Sequence, residues 1–191
     1  MSRDIEIEAK TLINESDYNR LYSKYSTKYP PYSQTNYLFY DESVSLKDSR
    51  LALRIRIKKG KGEFTLKIDL DEGKLEINQQ LSEQDLSHFL KEGKLPDGEV
   101  ISEINKNKLA NINHLKVFAI LKTIRFDIKG DDYLLSIDKS DYLGTTDYEI
   151  ECESSSMETA TKYLKEFLEK ESVPYLRNTK SKLKRVKEKL I

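Results

Sequence analysis

The chain has 191 residues, with 33 Lys+Arg balanced by 33 Asp+Glu, so its net charge is zero although 35% of its residues are charged. That balance argues against general nucleic-acid binding, which draws on a basic excess, but it leaves room for a site where both signs are concentrated. One cysteine allows no intrachain disulfide and no cysteine-based zinc site, and no apolar run is long enough for a signal peptide or a membrane span. The expectation is a cytoplasmic protein folded as one domain over residues 1–191, since no repeat, low-complexity tract or linker interrupts it.

In chain order, Ile5, Ile7 and Ala9 alternate with Glu6, Glu8 and Lys10, which predicts a strand. Ser16 is placed to cap a helix reaching about Tyr25, and the series Tyr18, Tyr22, Tyr25 and Tyr29 reads as packing. Leu53, Ile55 and Ile57 then alternate with Arg54, Arg56 and Lys58, and Phe64, Leu66 and Ile68 with Thr65, Lys67 and Asp69. The short turns at Lys59–Gly62, Asp71–Gly73 and Gly130–Asp132 make antiparallel neighbours of the strands they join. Ser82-Glu83-Gln84-Asp85 has the form of a helix start, and Asn105 to His114 suggests a further short helical stretch. Ile124, Phe126 and Ile128 alternate with Arg125 and Asp127, Ile137 follows the same rhythm beside Asp138, and Tyr148, Ile150 and Cys152 alternate with Glu149, Glu151 and Glu153. Ser156 to Lys170 predicts an amphipathic helix with Ala160, Leu164 and Phe167 on its apolar stripe, and the basic tail from Thr179 to Leu190 a last helix. The fold class is α+β, a large antiparallel sheet with helices around it.

The polar faces are unusual because their charges are sorted by strand. Glu6 and Glu8, like Glu149 and Glu151, make acidic faces, whereas Arg54 and Arg56, Lys67 and Arg125 make basic ones. If the sheet closes on itself, these faces line one bore. Cationic donors there suit a polyphosphate, and arginine offers bidentate geometry for its oxygens. Clustered carboxylates repel one another unless a hard divalent cation such as Mg²⁺ or Mn²⁺ joins them. Any one such strand is ordinarily a solvated face, and Lys58 and Asp69, near strand ends, are read that way, as is the basic tail. His88 and His114 have no partner at ligand spacing and read as structural, and Cys152, opposite the glutamates, as core.

Glu6-Ile7-Glu8-Ala9-Lys10 resembles the ExExK signature of the CYTH superfamily, the triphosphate tunnel metalloenzymes, whose members include class IV adenylate cyclases, thiamine triphosphatases, inorganic triphosphatases and fungal RNA triphosphatases. The later order agrees: Asn36 to Asp41 resembles the family's second strand, Leu53-Arg54-Ile55-Arg56 its basic strand and Thr65-Leu66-Lys67 its lysine strand. Arg125, Ile137-Asp138-Lys139, Tyr148-Glu149-Ile150-Glu151 and Asn178-Thr179-Lys180-Ser181-Lys182 are similar to its remaining motifs. The resemblance implies a closed eight-stranded antiparallel β-barrel that binds a triphosphate with Mg²⁺ or Mn²⁺. It implies Glu6, Glu8, Glu149 and Glu151 as metal ligands, with Glu153 an alternative of the same parity and Asp138 helping to place metal or water. It implies Lys10, Arg54, Arg56, Lys67 and Arg125 as phosphate binders, joined by Lys182 or, alternatively, Lys180. Glu76 has the parity to face the bore, although Asn78 and Gln80 beside it are softer than a catalytic face. The expected activity is a metal-dependent triphosphatase acting on a small-molecule triphosphate, with no membrane partner. The alternatives are an adenylate cyclase or a non-catalytic polyphosphate or nucleotide-binding module.

Overall fold

Period-two alternation of apolar and charged residues demands that one strand face be buried away from the other, and a curled sheet meets that demand with helices outside and a charged bore within. The computed structural model describes residues 2–47, 49, 51–176 and 180–191. Its strands are β1 (Ser2–Glu6), β2 (Glu8–Ile13), β3 (Tyr32–Asp41), β4 (Ala52–Lys58), β5 (Lys61–Asp69), β6 (Lys74–Gln80), β7 (Leu115–Lys129), β8 (Tyr133–Tyr142) and β9 (Thr145–Ser154). The helices are α1 (Glu15–Tyr25), α2 (Glu83–Glu92), α3 (Glu99–Lys106), α4 (Met157–Lys170) and α5 (Lys182–Glu188).

All nine strands join one antiparallel sheet in the order β1-β6-β5-β4-β3-β7-β8-β9-β2. The two outermost strands are consecutive pieces of the same N-terminal run, so the ring of strands closes through Ile7. Counting β1 and β2 as one bent strand restores the eight that were expected. The bend is tightly fitted. Ser154 N donates to the Ile7 carbonyl at 3.1 Å, and a Cβ at Gly73 (φ +79°) would stand 2.5 Å from the Glu6 carbonyl oxygen. Glycine is required there both by conformation and by the close approach.

Two cores cover the barrel's outer face. Tyr18 and Leu21 of α1 and Ala160, Leu164 and Leu168 of α4 pack on Phe126, Ile137, Ile150 and Cys152. Phe89 of α2 with Val100 and Ile104 of α3 packs on Phe39, Ile55, Phe64 and Ile77. Each fully buried aliphatic or aromatic side chain contributes roughly 1.5–3 kcal/mol. Cys152 is a core residue, and the tyrosine series is packing: Tyr18 meets Tyr148 and Tyr22 meets Phe126.

Several element boundaries differ from expectation. The cap of α1 is Asn14, whose side chain accepts from Asp17 N at 2.8 Å, rather than Ser16. In the stretch Asn105 to His114, Asn105 and Lys106 are the end of α3, which begins earlier, Asn107 to Asn111 are turn and irregular, and Ile112–His114 forms a short 3-10 helix. The start of α3 is tied to β6 by Gln79, which accepts from Val100 N at 3.3 Å and donates to the Asp97 carbonyl at 2.7 Å. Ser82 and Ser156 cap α2 and α4 as read. The last helix begins at Lys182 behind Ser181, and the residues Asn178 and Thr179 named for it lie outside the described residues. No helix among the described residues is long and apolar enough to cross a membrane.

Candidate active site

Every strand but β8 turns charged or polar side chains into a central cavity of about 340 Å³. Glu6, Glu8 and Lys10 come from β1 and β2, Asn36 from β3, Arg54 and Arg56 from β4, Lys67 from β5 and Glu76 from β6. Arg125 enters from β7 and Glu151 and Glu153 from β9, with Lys182 of α5 joining them. Register explains the grouping: Glu8 lies opposite Glu153 and Lys10 opposite Glu151, while Arg125 lies opposite Asp138 and Asp138 opposite Glu149.

The β8–β9 side is acidic and internally neutralised. Arg125 grips Asp138 through Nε at 2.7 Å and Nη2 at 2.6 Å, and reaches Glu151 at 2.6 Å. Lys182 Nζ lies 2.9 Å from Asp138, 2.9 Å from Glu149 and 2.6 Å from Glu151. Arg185 completes the set, donating to Glu149 at 2.7 Å and Asp147 at 2.8 Å. At Glu151 burial opposes the charge, but Lys182, Arg125 and Lys10 outweigh it and hold that carboxyl well below the usual range. Burial is outweighed likewise at Lys182, where Asp138, Glu149 and Glu151 raise the ammonium pKa. Asp138 and Glu149, 0% and 1% exposed, lie beneath these cations instead of at the cavity surface.

The β4 side is the converse. Arg56 donates to the Asn36 amide oxygen at 3.0 Å, and no carboxylate pairs with it among the described residues. Burial, then Arg54 and Arg125, push its pKa down to about 9. Arg54 Nε is buried without a hydrogen-bond partner, and its nearest carboxylate, Glu76, stands 3.8 Å from Nη2. Unmet cationic donors of this kind are costly unless an anion arrives to accept from them.

Between the two sides, Lys67 joins Glu6 at 2.5 Å and also pairs with Glu76. At Glu76 burial opposes the charge, but Lys67 and then Arg54 outweigh it and bring the carboxyl down to about 2. Lys10 pairs with Glu8. Even so, burial followed by Glu151 pushes the Glu8 pKa up, and burial followed by Glu6 and Glu76 does the same to Glu153.

The tail is not a solvated helix. Leu183 and Val186 of α5 pack against Leu38, Ala119, Leu121 and Tyr142 and close one end of the barrel, and Lys187 donates to the Ser49 carbonyl at 2.7 Å. Lys182 points into the cavity, whereas Lys180 pairs with Glu188 at 2.9 Å on the outside. Lys58 also departs from its solvated reading. It lines the cavity, with its ammonium 3.8 Å from the centre of the Tyr32 ring. Asp69 is solvated, with 84% of its side chain exposed. Sequence reading missed Arg185, Tyr32 and Asp127; Tyr32 and Ser136 donate to Asp127 at 2.7 and 2.8 Å inside the bore. The parity of Asp127 with Arg125 was the available signal.

Among the described residues, no three His, Cys, Asp or Glu side chains converge closely enough to cage a metal ion. The donor chemistry nonetheless fits a hard divalent cation: Glu6, Glu8, Glu151 and Glu153 offer carboxylate oxygens into one cavity, and the raised Glu8 and Glu153 mark negative charge that is not fully compensated.

This tunnel of opposed charges defines a class of protein: residues 4–186 match the CYTH domain, and the chain belongs to that family. It is 34% identical over 187 residues, 97% of this chain and 95% of the relative, to the Bacillus subtilis protein "Putative triphosphatase YjbK". Among solved structures it is similar to one described as a "putative adenylate cyclase" from Bacillus halodurans, at 36% identity and a TM-score of 0.84, covering 97% of this chain and 98% of that one. It shares its fold with a Hippeastrum protein, "Putative adenylyl cyclase HpAC1", at 21% identity and a TM-score of 0.74, covering 97% of this chain and 96% of that one.

Proposed function

We propose that the protein is a Mg²⁺- or Mn²⁺-dependent triphosphatase that hydrolyses a triphosphate held across the tunnel, with residues 1–191 working as one cytoplasmic unit. The observation that carries this reading is one cavity that holds Arg54, whose buried Nε lacks a partner, and Arg56, which no carboxylate pairs with among the described residues, together with carboxylates of raised pKa at Glu8 and Glu153. Arg54 and Arg56 donate to non-bridging phosphate oxygens, with Lys10, Lys67, Arg125 and Lys182 completing the cationic surround. Glu6, Glu8, Glu151 and Glu153 would hold the divalent ion, which when bound neutralises charge on the phosphoryl group being transferred. Asp138 and Glu149 act beneath them by fixing Arg125, Lys182 and Arg185. Catalysis is then chiefly positioning and charge stabilisation by groups fixed on the strands.

The likeness to a relative described as an adenylate cyclase brings a second reading, in which a ribose hydroxyl replaces water. One panel tests both: inorganic, thiamine and nucleoside triphosphates, each with Mg²⁺, Mn²⁺ or excess chelator. The expected result is phosphate release only with metal. Cyclic nucleotide and diphosphate from a nucleoside triphosphate would replace the first reading by the second, and neither product with either metal would overturn both.

A further inference from the structure

The barrel wall is interrupted at Ile7, between β1 and β2, where Ser154 N donates to the Ile7 carbonyl. Outside that break lies a second cavity of about 500 Å³. It shares Glu6, Glu8, Lys10 and Lys74 with the tunnel, so the same short segment forms a wall of both. Its outer side is built by Met157 and Lys165 of α4 and by Tyr175.

The charges around it favour an anion. Glu6 pairs with Lys67 and Glu8 with Lys10, so each carboxylate of the shared wall has a cationic partner, and the nearby Glu72 carboxylate accepts from Met157 N at 3.2 Å. The partner of Lys74 is Asp69, 3.1 Å away and with 84% of its side chain exposed, a pairing that water screens. Among the described residues no carboxylate forms an ion pair with Lys165; its ammonium lies 5.4 Å from the centre of the Tyr175 ring.

We propose that this seam cavity, which shares lining residues with the tunnel, is a second anion site that takes inorganic phosphate, with Lys165 and Lys74 as its cations. The origin of the phosphate rests on the triphosphatase reading; the site itself does not.

The chain contains two methionines, and Met157 lines the seam cavity. Protein labelled at its methionine methyls and titrated with inorganic phosphate, without metal, therefore reports on this site directly. The Met157 signal should shift saturably in the wild type. Its midpoint should stay within twofold in Arg56→Ala and rise at least fivefold in Lys165→Ala. A Met157 signal that does not move, or a midpoint that Lys165→Ala leaves within twofold, overturns the proposal. In steady-state assays, Lys165→Ala should raise the inhibition constant for inorganic phosphate at least fivefold while the KM for triphosphate stays within twofold; an unchanged inhibition constant counts against binding of product phosphate at this site. If the wild type hydrolyses no triphosphate, the functional reading fails while the methyl titration still decides the site.

Discussion

The two charged sides of the tunnel treat buried charge in opposite ways. On β8 and β9, Asp138, Glu149 and Glu151 each meet arginine or lysine at 2.6–2.9 Å, so the charges are balanced within the chain. On β4, Arg54 leaves a buried Nε unpartnered, and among the described residues Arg56 bonds the neutral amide of Asn36 and no carboxylate. The acidic side is thus part of what holds α5 in the barrel, and the basic side keeps its charge available. Losing a partner from the first should cost stability, and losing a donor from the second should cost binding.

The largest effect is expected at Arg185, 8% exposed. Arg185→Ala strands Glu149 and Asp147 and should destabilise the fold by roughly 3–5 kcal/mol, the usual cost of breaking a buried pair. Denaturant unfolding checks this, and a loss under 1 kcal/mol would erase the contrast between the two sides. Arg56→Ala should behave in reverse. Removing a hydrogen bond to a charged ligand costs roughly 1.5–3 kcal/mol, about 10- to 150-fold in the KM for triphosphate. Its melting temperature should not fall, because Arg54 and Arg125 lose a like-charged neighbour.

Glu8→Gln keeps the shape and removes a charge that its surroundings disfavour. Turnover should drop at least about 10- to 100-fold, the scale of lost metal-site support. The stabilisation that saturating Mg²⁺ or Mn²⁺ gives the wild type should shrink with it. Differential scanning with and without metal, beside steady-state kinetics, reads both.

Glu76 offers a pH test. Its folded pKa of about 2 lies below its unfolded value, so its stabilisation is present above the usual carboxylate range and is lost as pH falls toward 2. Glu76→Gln should flatten that part of the acid unfolding curve and lower stability at neutral pH, and an unchanged slope would remove Glu76 from the balance. The smallest effect belongs to Lys180, whose pair with Glu188 is about half exposed. Lys180→Ala should change stability by about 0–1 kcal/mol and leave turnover unaltered. A large loss of turnover would move the tail lysine's role from Lys182 to Lys180.

The strands were readable because the bore is charged, which makes the period of two stand out against the buried apolar partners Ile55, Phe64, Phe126 and Ile150. The helices with serine caps, at Ser82 and Ser156, were readable for a local reason: the hydroxyl sits beside the amide that it accepts from. Arg185 was not readable, because Lys182 to Glu188 has the composition of a solvated basic helix and only the tertiary fold brings Asp147 and Glu149 to it. The position of α3 was hidden similarly, since the group that secures its start is Gln79, 21 residues away from Val100. Parity placed Arg54 and Arg56 on one face, but a sequence cannot say that carboxylates answer Arg125 and not Arg56.

The bend at Ile7 has a consequence for the order in which the molecule can be made. Pairing of β1 with β6 joins residues up to about 76 positions apart, Ser2 with Asn78, whereas β2 with β9 joins Glu8 to Glu153. A chain growing from its N-terminus can set the first ladder early, yet its second residue run must wait until β9 has emerged. Ring closure is therefore a late event of high contact order, the slow kind of pairing. Until it happens, β2 is an open edge carrying Glu8 and Lys10, and the catalytic chamber has no wall on that side.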